Sequence, residues 1–222
     1  MKSGLMNDTY LALVERIREI GKLEATLELL RWDQETFMPA KATPDRAEQV
    51  ALLAGLAHEK LISPQVGELL SRLDLSACDA QAGDRAVLSA QAGDPVEATN
   101  IRETRRLYER AVKLPAELVA ETSRTSTLAR QAWVQARRDG DYPAFAPWLD
   151  RLLTLKRRAA DLIGYAEEPY DALLDEFEPG ARTRELAALF AELRGFLVPL
   201  VRATGRSPRQ PDTSILSRAY PR

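Results

Sequence analysis

His58 is the only histidine in this 222-residue chain, and with Glu59 it opens the HExxH spacing of zinc hydrolases. In that motif two imidazoles one helical turn apart grip the ion, and the glutamate between them activates water. The fifth position here is Ile62, so the second imidazole is missing. A catalytic zinc site takes about three protein ligands and keeps a position open for water or substrate. One histidine and one cysteine, Cys78, do not supply the usual nitrogen and sulfur donors, and carboxylates alone suit magnesium or calcium better. His58 therefore reads as a helix-surface or interhelical histidine whose ring nitrogens are satisfied locally.

The other candidate constellations fail on spacing as well. Asp33 and Glu35 stand two apart, which on a helix turns them about 200° from each other, too far to share one proton or one metal. Their expected work is capping and ion pairing, with Trp32 and Met38 packing beside them. A Glu-x-x-His di-iron site needs an acid three positions before the histidine, and Gly55 stands there. Arg102, Arg105, Arg106 and Arg110 make a basic helical face, but Glu103 and Glu109 interrupt it and Tyr108 is its one aromatic, so it reads as salt-bridged rather than nucleic-acid-binding. Thr122, Ser123, Thr125, Ser126 and Thr127 lack a nearby histidine base and should pack and bond to backbone. There is no glycine-rich phosphate loop. No position is assigned as catalytic, cofactor-binding or metal-binding.

The elements that carry these residues are helices throughout. From Tyr10, apolar Leu13, Val14, Ile17, Ile20, Leu23, Leu27 and Leu30 recur at three- and four-residue steps, predicting a helix capped by Asp8 and ending near Met38 before Pro39. Thr43 and Pro44 restart a helix with Val50, Leu53, Ala54, Ala57 and Leu61 on its apolar face. Ser63 and Pro64 open a short one carrying Val66, Leu69, Leu70 and Leu73. A helix is expected around Asp84 to Ala92, and another from Asp94, Pro95 and Glu97 to about Lys113. Pro115 opens the next, with Leu118, Val119, Leu128, Ala132 and Trp133 inward and Gly140 as its left-handed stop.

After Asp141, Phe145, Trp148, Leu149, Leu152, Leu153, Leu155, Ala159, Leu162 and Ile163 cover roughly half of a helix circumference, more than one neighbour can cover. Gly164 ends that helix, PYDALLDEF makes a short one, and Pro179 with Gly180 closes it. Thr183 caps a last helix with a stripe of Leu186, Leu189, Phe190, Leu193, Phe196, Leu197, Leu200 and Val201, bent near Pro199. The fold class is all-α: a helical domain over 1–205 and an extended or mobile tail over 206–222, where prolines and arginines concentrate.

WDQETFMP from Trp32 and DRAEQVALLAGLAHEKL from Asp45 resemble the amino-terminal region of the carboxypeptidase Taq family of zinc metallocarboxypeptidases. NIRETRRLYERAVKLPAELV from Asn100, QAWVQARRDGDYPAFAPWLDRLLTLKRRAADL from Gln131 and EEPYDALLDEFEPG from Glu167 continue the resemblance in order. It implies a largely helical fold with a deep cleft, and a parent activity of zinc-dependent release of amino acids from peptide carboxyl termini. It also implies that the family's HPF motif, HExxH helix and later glutamate ligand lie beyond Arg222. The chain is therefore expected to hold no zinc and to be inactive alone, with zinc and peptide substrate belonging to the full-length enzyme. Its expected partner is the missing carboxyl-terminal half, which a separate chain could supply, or a second copy. The alternative is a stand-alone helical interaction or scaffold module without chemistry.

Composition agrees with a folded chain. Hydrophobic residues are 45% and charged residues 29% of the total, ordinary for a globular protein. The net charge of -2, from 31 basic and 33 acidic side chains, offers no broad attraction to nucleic acid or anionic membrane. A lone cysteine, an amino terminus without a signal-peptide core and no apolar run of about 20 residues give the expectation of a soluble cytoplasmic protein.

Overall fold

The computed structural model describes residues 2–73, 95–209 and 211–219. Among them the chain is helices, short 3-10 turns and connections, with no strand, as the apolar periodicity requires. Contacts divide it into two compact units, Met1–Gly164 and Tyr165–Arg222.

The first unit is built on helix α1, Lys2–Thr36. Leu13, Ile20 and Leu27 are its buried positions, one every two turns, so a single seam of a long helix serves as the wall for two clusters. Because the helix begins at Lys2, Asp8 lies inside it and is not its cap; no proline stands between Lys2 and Asp8 to stop the helix. Beyond Thr36 the helix ends with the Phe37 and Met38 amides both bonding to the Asp33 carbonyl, before the 3-10 turn Ala40–Ala42.

Helix α2, Thr43–Leu61, follows without a gap. Its capping position is therefore Ala42, and the Thr43 hydroxyl bonds back to the Ala40 carbonyl at 2.8 Å instead of capping. The expected apolar face is the one that packs: Val50, Ala54 and Ala57 are buried, joined by Ala47 and Ala51. This run of alanines lets α2 lie close against both α1 and helix α5, Ala116–Asp139. Leu27, Val50 and Ala54 form one cluster, with Leu30, Leu53 and Val119 around it.

The other cluster joins α1 to helix α3, Pro64–Arg72, and helix α4, Pro95–Ala111. Leu13, Val66, Leu70, Leu73 and Ile101 are its buried members, with Tyr10, Ile17, Leu69 and Tyr108 at its edge. The helix expected at Asp84 to Ala92, the Asp94 cap and Cys78 lie outside the described residues.

Helix α5 ends as its sequence requires, with Gly140 at φ 69°, a left-handed stop that favours glycine. Leu118 faces inward as expected, but Trp133 is 41% exposed. The buried positions flanking it are Ala129 and Ala136, small enough for close helix contact, and the indole instead lies under the Arg130 guanidinium, 4.6 Å from the ring centre. Asp141 caps helix α6, Tyr142–Ile163, accepting from the Ala144 amide at 3.2 Å. Helix α6 packs along α5, yet Ala160 is its one fully buried residue among those described, and Leu153 and Leu162 remain exposed. One neighbour leaves part of so wide an apolar face open, as the sequence implies.

In the second unit, helix α7, Pro169–Leu174, and helix α8, Thr183–Gly205, are tied by Asp171. Its buried carboxylate accepts from both the Thr183 amide, at 2.7 Å, and the Thr183 hydroxyl, at 2.5 Å. Arg182 thus takes the capping position of α8 and Thr183 becomes its first helical residue, held from α7 rather than capping for itself. Gly180 at φ 81° makes the turn between them.

Candidate functional site

The residues that could do chemistry sit on α1, α2 and α5, and the structure engages most of them in holding those helices together. His58 projects from the last turn of α2 into the first unit and is 8% exposed. Its Nε2 lies 2.8 Å from the Leu114 carbonyl oxygen, in the turn before α5. A carbonyl only accepts, so Nε2 carries the proton and donates. That nitrogen has no lone pair left for a metal, and Glu59 beside it points to an exposed surface. The histidine is interhelical and locally satisfied, the reading its spacing favours.

Asp33 and Glu35 diverge to different helices, as helical geometry demands. Asp33 meets Arg46 of α2 at 2.6 Å. Arg46 also donates to the Leu30 carbonyl at 2.5 Å and to Gln49 at 3.1 Å, and its side chain is only 12% exposed. Glu35 takes a two-pronged bond from Arg130 of α5, and this hydrogen bond, ahead of the charge itself, holds its carboxyl below the usual carboxylate range. Trp32, expected to pack, is 54% exposed and stands edge-on to Phe37 with ring centres 5.5 Å apart. No element of the first unit covers that end of α1 deeply enough to bury an indole, and Met38 is half-buried.

Arg124 of α5 grips Glu48 of α2 with two bonds, at 2.6 and 2.8 Å, and reaches Glu121 at 3.2 Å. Glu48 is held below its ordinary range by that bond, and the guanidinium is held above its own. Burial pushes the Glu121 carboxyl up, but the bond and charge from Arg151 of α6 together with the bonds from Arg124 and Thr125 outweigh it and leave the group lowered. Arg46, Arg124 and Arg130 have partners 13, 76 and 95 residues away, so no local spacing marks them in the sequence.

The basic helical face of α4 is engaged as well. Arg102 and Arg106 both bond Glu103, and Arg105 donates to the Leu70 carbonyl of α3 at 2.5 Å. The hydroxyl group of residues on α5 works within its own helix: Thr122 bonds the Leu118 carbonyl, Thr127 the Ser123 carbonyl, and buried Thr125 the Glu121 carboxylate. These hydroxyls donate within their own helix and satisfy themselves where α5 is covered.

Two shallow grooves remain over the outer face of α2. One, of about 360 Å³, runs between α2 and α5 past Leu52, Gly55 and Ala120, and the other, of about 580 Å³, lies between α1 and α3 past Ile20 and Pro64. Leu56 and Glu59 line both. Neither groove gathers donors that would bind zinc: among the described residues no three histidine, cysteine, aspartate or glutamate side chains converge. For want of such a converging set around His58, the residues described do not fit a zinc centre.

Among the described residues the chain is a strand-free array of helices, with arginine–carboxylate pairs pinning α1, α2 and α5. The chain belongs to the Carboxypeptidase Taq (M32) metallopeptidase family, whose pattern matches residues 12–222. It is 37% identical to thermostable carboxypeptidase 1 of Thermus thermophilus, over 96% of this chain and 41% of that protein. It therefore spans about two fifths of the length of the curated relatives it matches. Among solved structures, the crystal structure of BsuCP superposes with a TM-score of 0.82 at 28% identity, covering 96% of this chain and 40% of the other. The M32 carboxypeptidase from Deinococcus radiodurans R1 gives a TM-score of 0.66 at 32% identity, covering 91% and 38%. Among the described residues no helix is long and apolar enough to cross a membrane.

Proposed function

We propose that this chain is the amino-terminal helical part of a zinc-dependent carboxypeptidase that releases amino acids from peptide carboxyl termini. One observation carries the reading: similarity runs over 96% of this chain while reaching only 41% of the Thermus thermophilus relative. The division of labour follows from the chemistry of the side chains. The first unit supplies a braced helical wall, in which Arg46, Arg124 and Arg130 lock α1, α2 and α5. The zinc ligands and the glutamate that polarises water belong to the remaining part of the family fold. By the same reading the chain alone does not turn over peptides, and the whole protein works in the cytoplasm.

The test measures bound zinc and release of carboxyl-terminal amino acids by the purified 222-residue chain. The measurement is repeated with the unmatched remainder of the Thermus thermophilus relative supplied. Zinc and turnover are expected only in the second case. Stoichiometric zinc with turnover from the chain alone would overturn the proposal, and an inert mixture would favour a scaffold without chemistry.

A further inference from the structure

Helix α8 carries a long apolar face that its own unit leaves open. Leu189, Phe190, Leu193, Phe196, Leu197, Leu200 and Val201 are each at least 40% exposed. Large apolar patches of this kind mark interaction surfaces. Leu186, Phe190, Leu193, Leu197 and Leu200 follow one another at steps of four, three, four and three. That alternation is the seam into which a second helix fits knobs-into-holes, at a shallow crossing angle of about 20°. Over the 15 residues from Leu186 to Leu200 the seam runs roughly 21 Å, the length of a four-turn helix. No charged side chain interrupts it: Arg184, Glu185, Glu192, Arg194 and Arg202 fall off the seam.

What the second unit offers against α8 is too small to cover this face. Helix α7 has six residues and meets the beginning of α8 through Asp171 and Thr183, before the seam starts. The relatives carry about three fifths of their length outside the matched segment, enough chain to provide a covering helix. We infer that the α8 seam is the docking face for an apolar-striped α-helix from that remaining part of the family fold. The inference rests on the proposed function, and it adds the place and the mode of assembly: helix on helix, along Phe190, Leu193, Leu197 and Leu200.

The experiment co-expresses the full 222-residue chain with the unmatched remainder of Thermus thermophilus thermostable carboxypeptidase 1. It compares the unsubstituted chain with Phe190→Arg, Leu197→Arg and, as a control on α2, Leu52→Arg. Circular dichroism melts establish that each variant folds. A one-to-one complex is expected, with hydrogen exchange slowed across 183–205. Each α8 substitution should weaken it about tenfold or more, and the α2 substitution by less than about twofold. Absence of a complex with the unsubstituted chain overturns the inference, as does a complex indifferent to both α8 substitutions. A homodimer of the chain that these substitutions dissociate assigns the face to a second copy and overturns it too. A complex that depends on α8 but has no peptidase turnover upholds the docking face and sinks the functional reading. Turnover in a complex indifferent to α8 does the reverse.

Discussion

His58 donates its Nε2 proton to the Leu114 carbonyl 2.8 Å away, pinning the end of α2 to the turn that leads into α5. Replacing it with alanine leaves a part-buried carbonyl without its donor, a loss of about 1–3 kcal/mol. Urea denaturation of His58→Ala should show that loss. Zinc titration by calorimetry should not distinguish the variant from the unsubstituted chain; a weaker zinc isotherm in His58→Ala would contradict the structural role.

Arg46 serves three acceptors at once: Asp33, the Leu30 carbonyl and Gln49. Its removal strands a partly buried carboxylate as well as a carbonyl, so Arg46→Met should cost about 2–3 kcal/mol. Asp33→Asn, which keeps an acceptor, should cost less. Equal losses in chemical denaturation would show that the charge, rather than the shared geometry, carries the contact.

Asp171 gives the α7–α8 junction a dependence on acid. The Thr183 hydroxyl first, then the Thr183 amide, hold its carboxyl below the ordinary aspartate value. A group lowered on folding adds stability above its unfolded pKa of about 3.9, and that stability fades as pH falls through the folded value. Exchange of the Thr183 amide should therefore stay slow at neutral pH and speed up beyond its intrinsic pH trend only below about pH 4. In Asp171→Asn the extra acid dependence should vanish, and its persistence there would assign it to another group.

Gly67 of α3 has the Tyr108 side chain directly against it, and a Cβ would meet the Tyr108 hydroxyl and lie 3.1 Å from its ring Cζ. Gly67→Ala should destabilise by about 1–3 kcal/mol through overpacking, against a small gain in helix propensity. Adding Tyr108→Phe should return part of the loss. A double-mutant cycle with no coupling would remove the clash as its cause.

The same contrasts show how much was legible beforehand. Gly140, Pro64, Pro115 and the three- and four-residue recurrence of leucines mark their helices through forces acting within a few residues, and the structure places those helices accordingly. Capping was less legible, because Thr43 and Thr183 are claimed by Ala40 and Asp171 rather than by their own helix ends. Trp32 and Trp133 read as core by residue type, yet both stand half in solvent, since type does not say whether a neighbour covers that face.

For the site, the failed HExxH spacing and the divergence of Asp33 from Glu35 were readable at once, being consequences of the 3.6-residue turn. The sequence by itself thus determined the helical class, the helix stops, the family resemblance and the lack of a zinc-binding pair around His58. Only the tertiary structure decided that His58 belongs to Leu114, that Glu35 and Glu48 belong to arginines 95 and 76 residues onward, and that the α8 seam is left open. The physical reason is range: backbone geometry and periodicity act over a turn or two, whereas these partners meet only after helices distant in the chain have packed together.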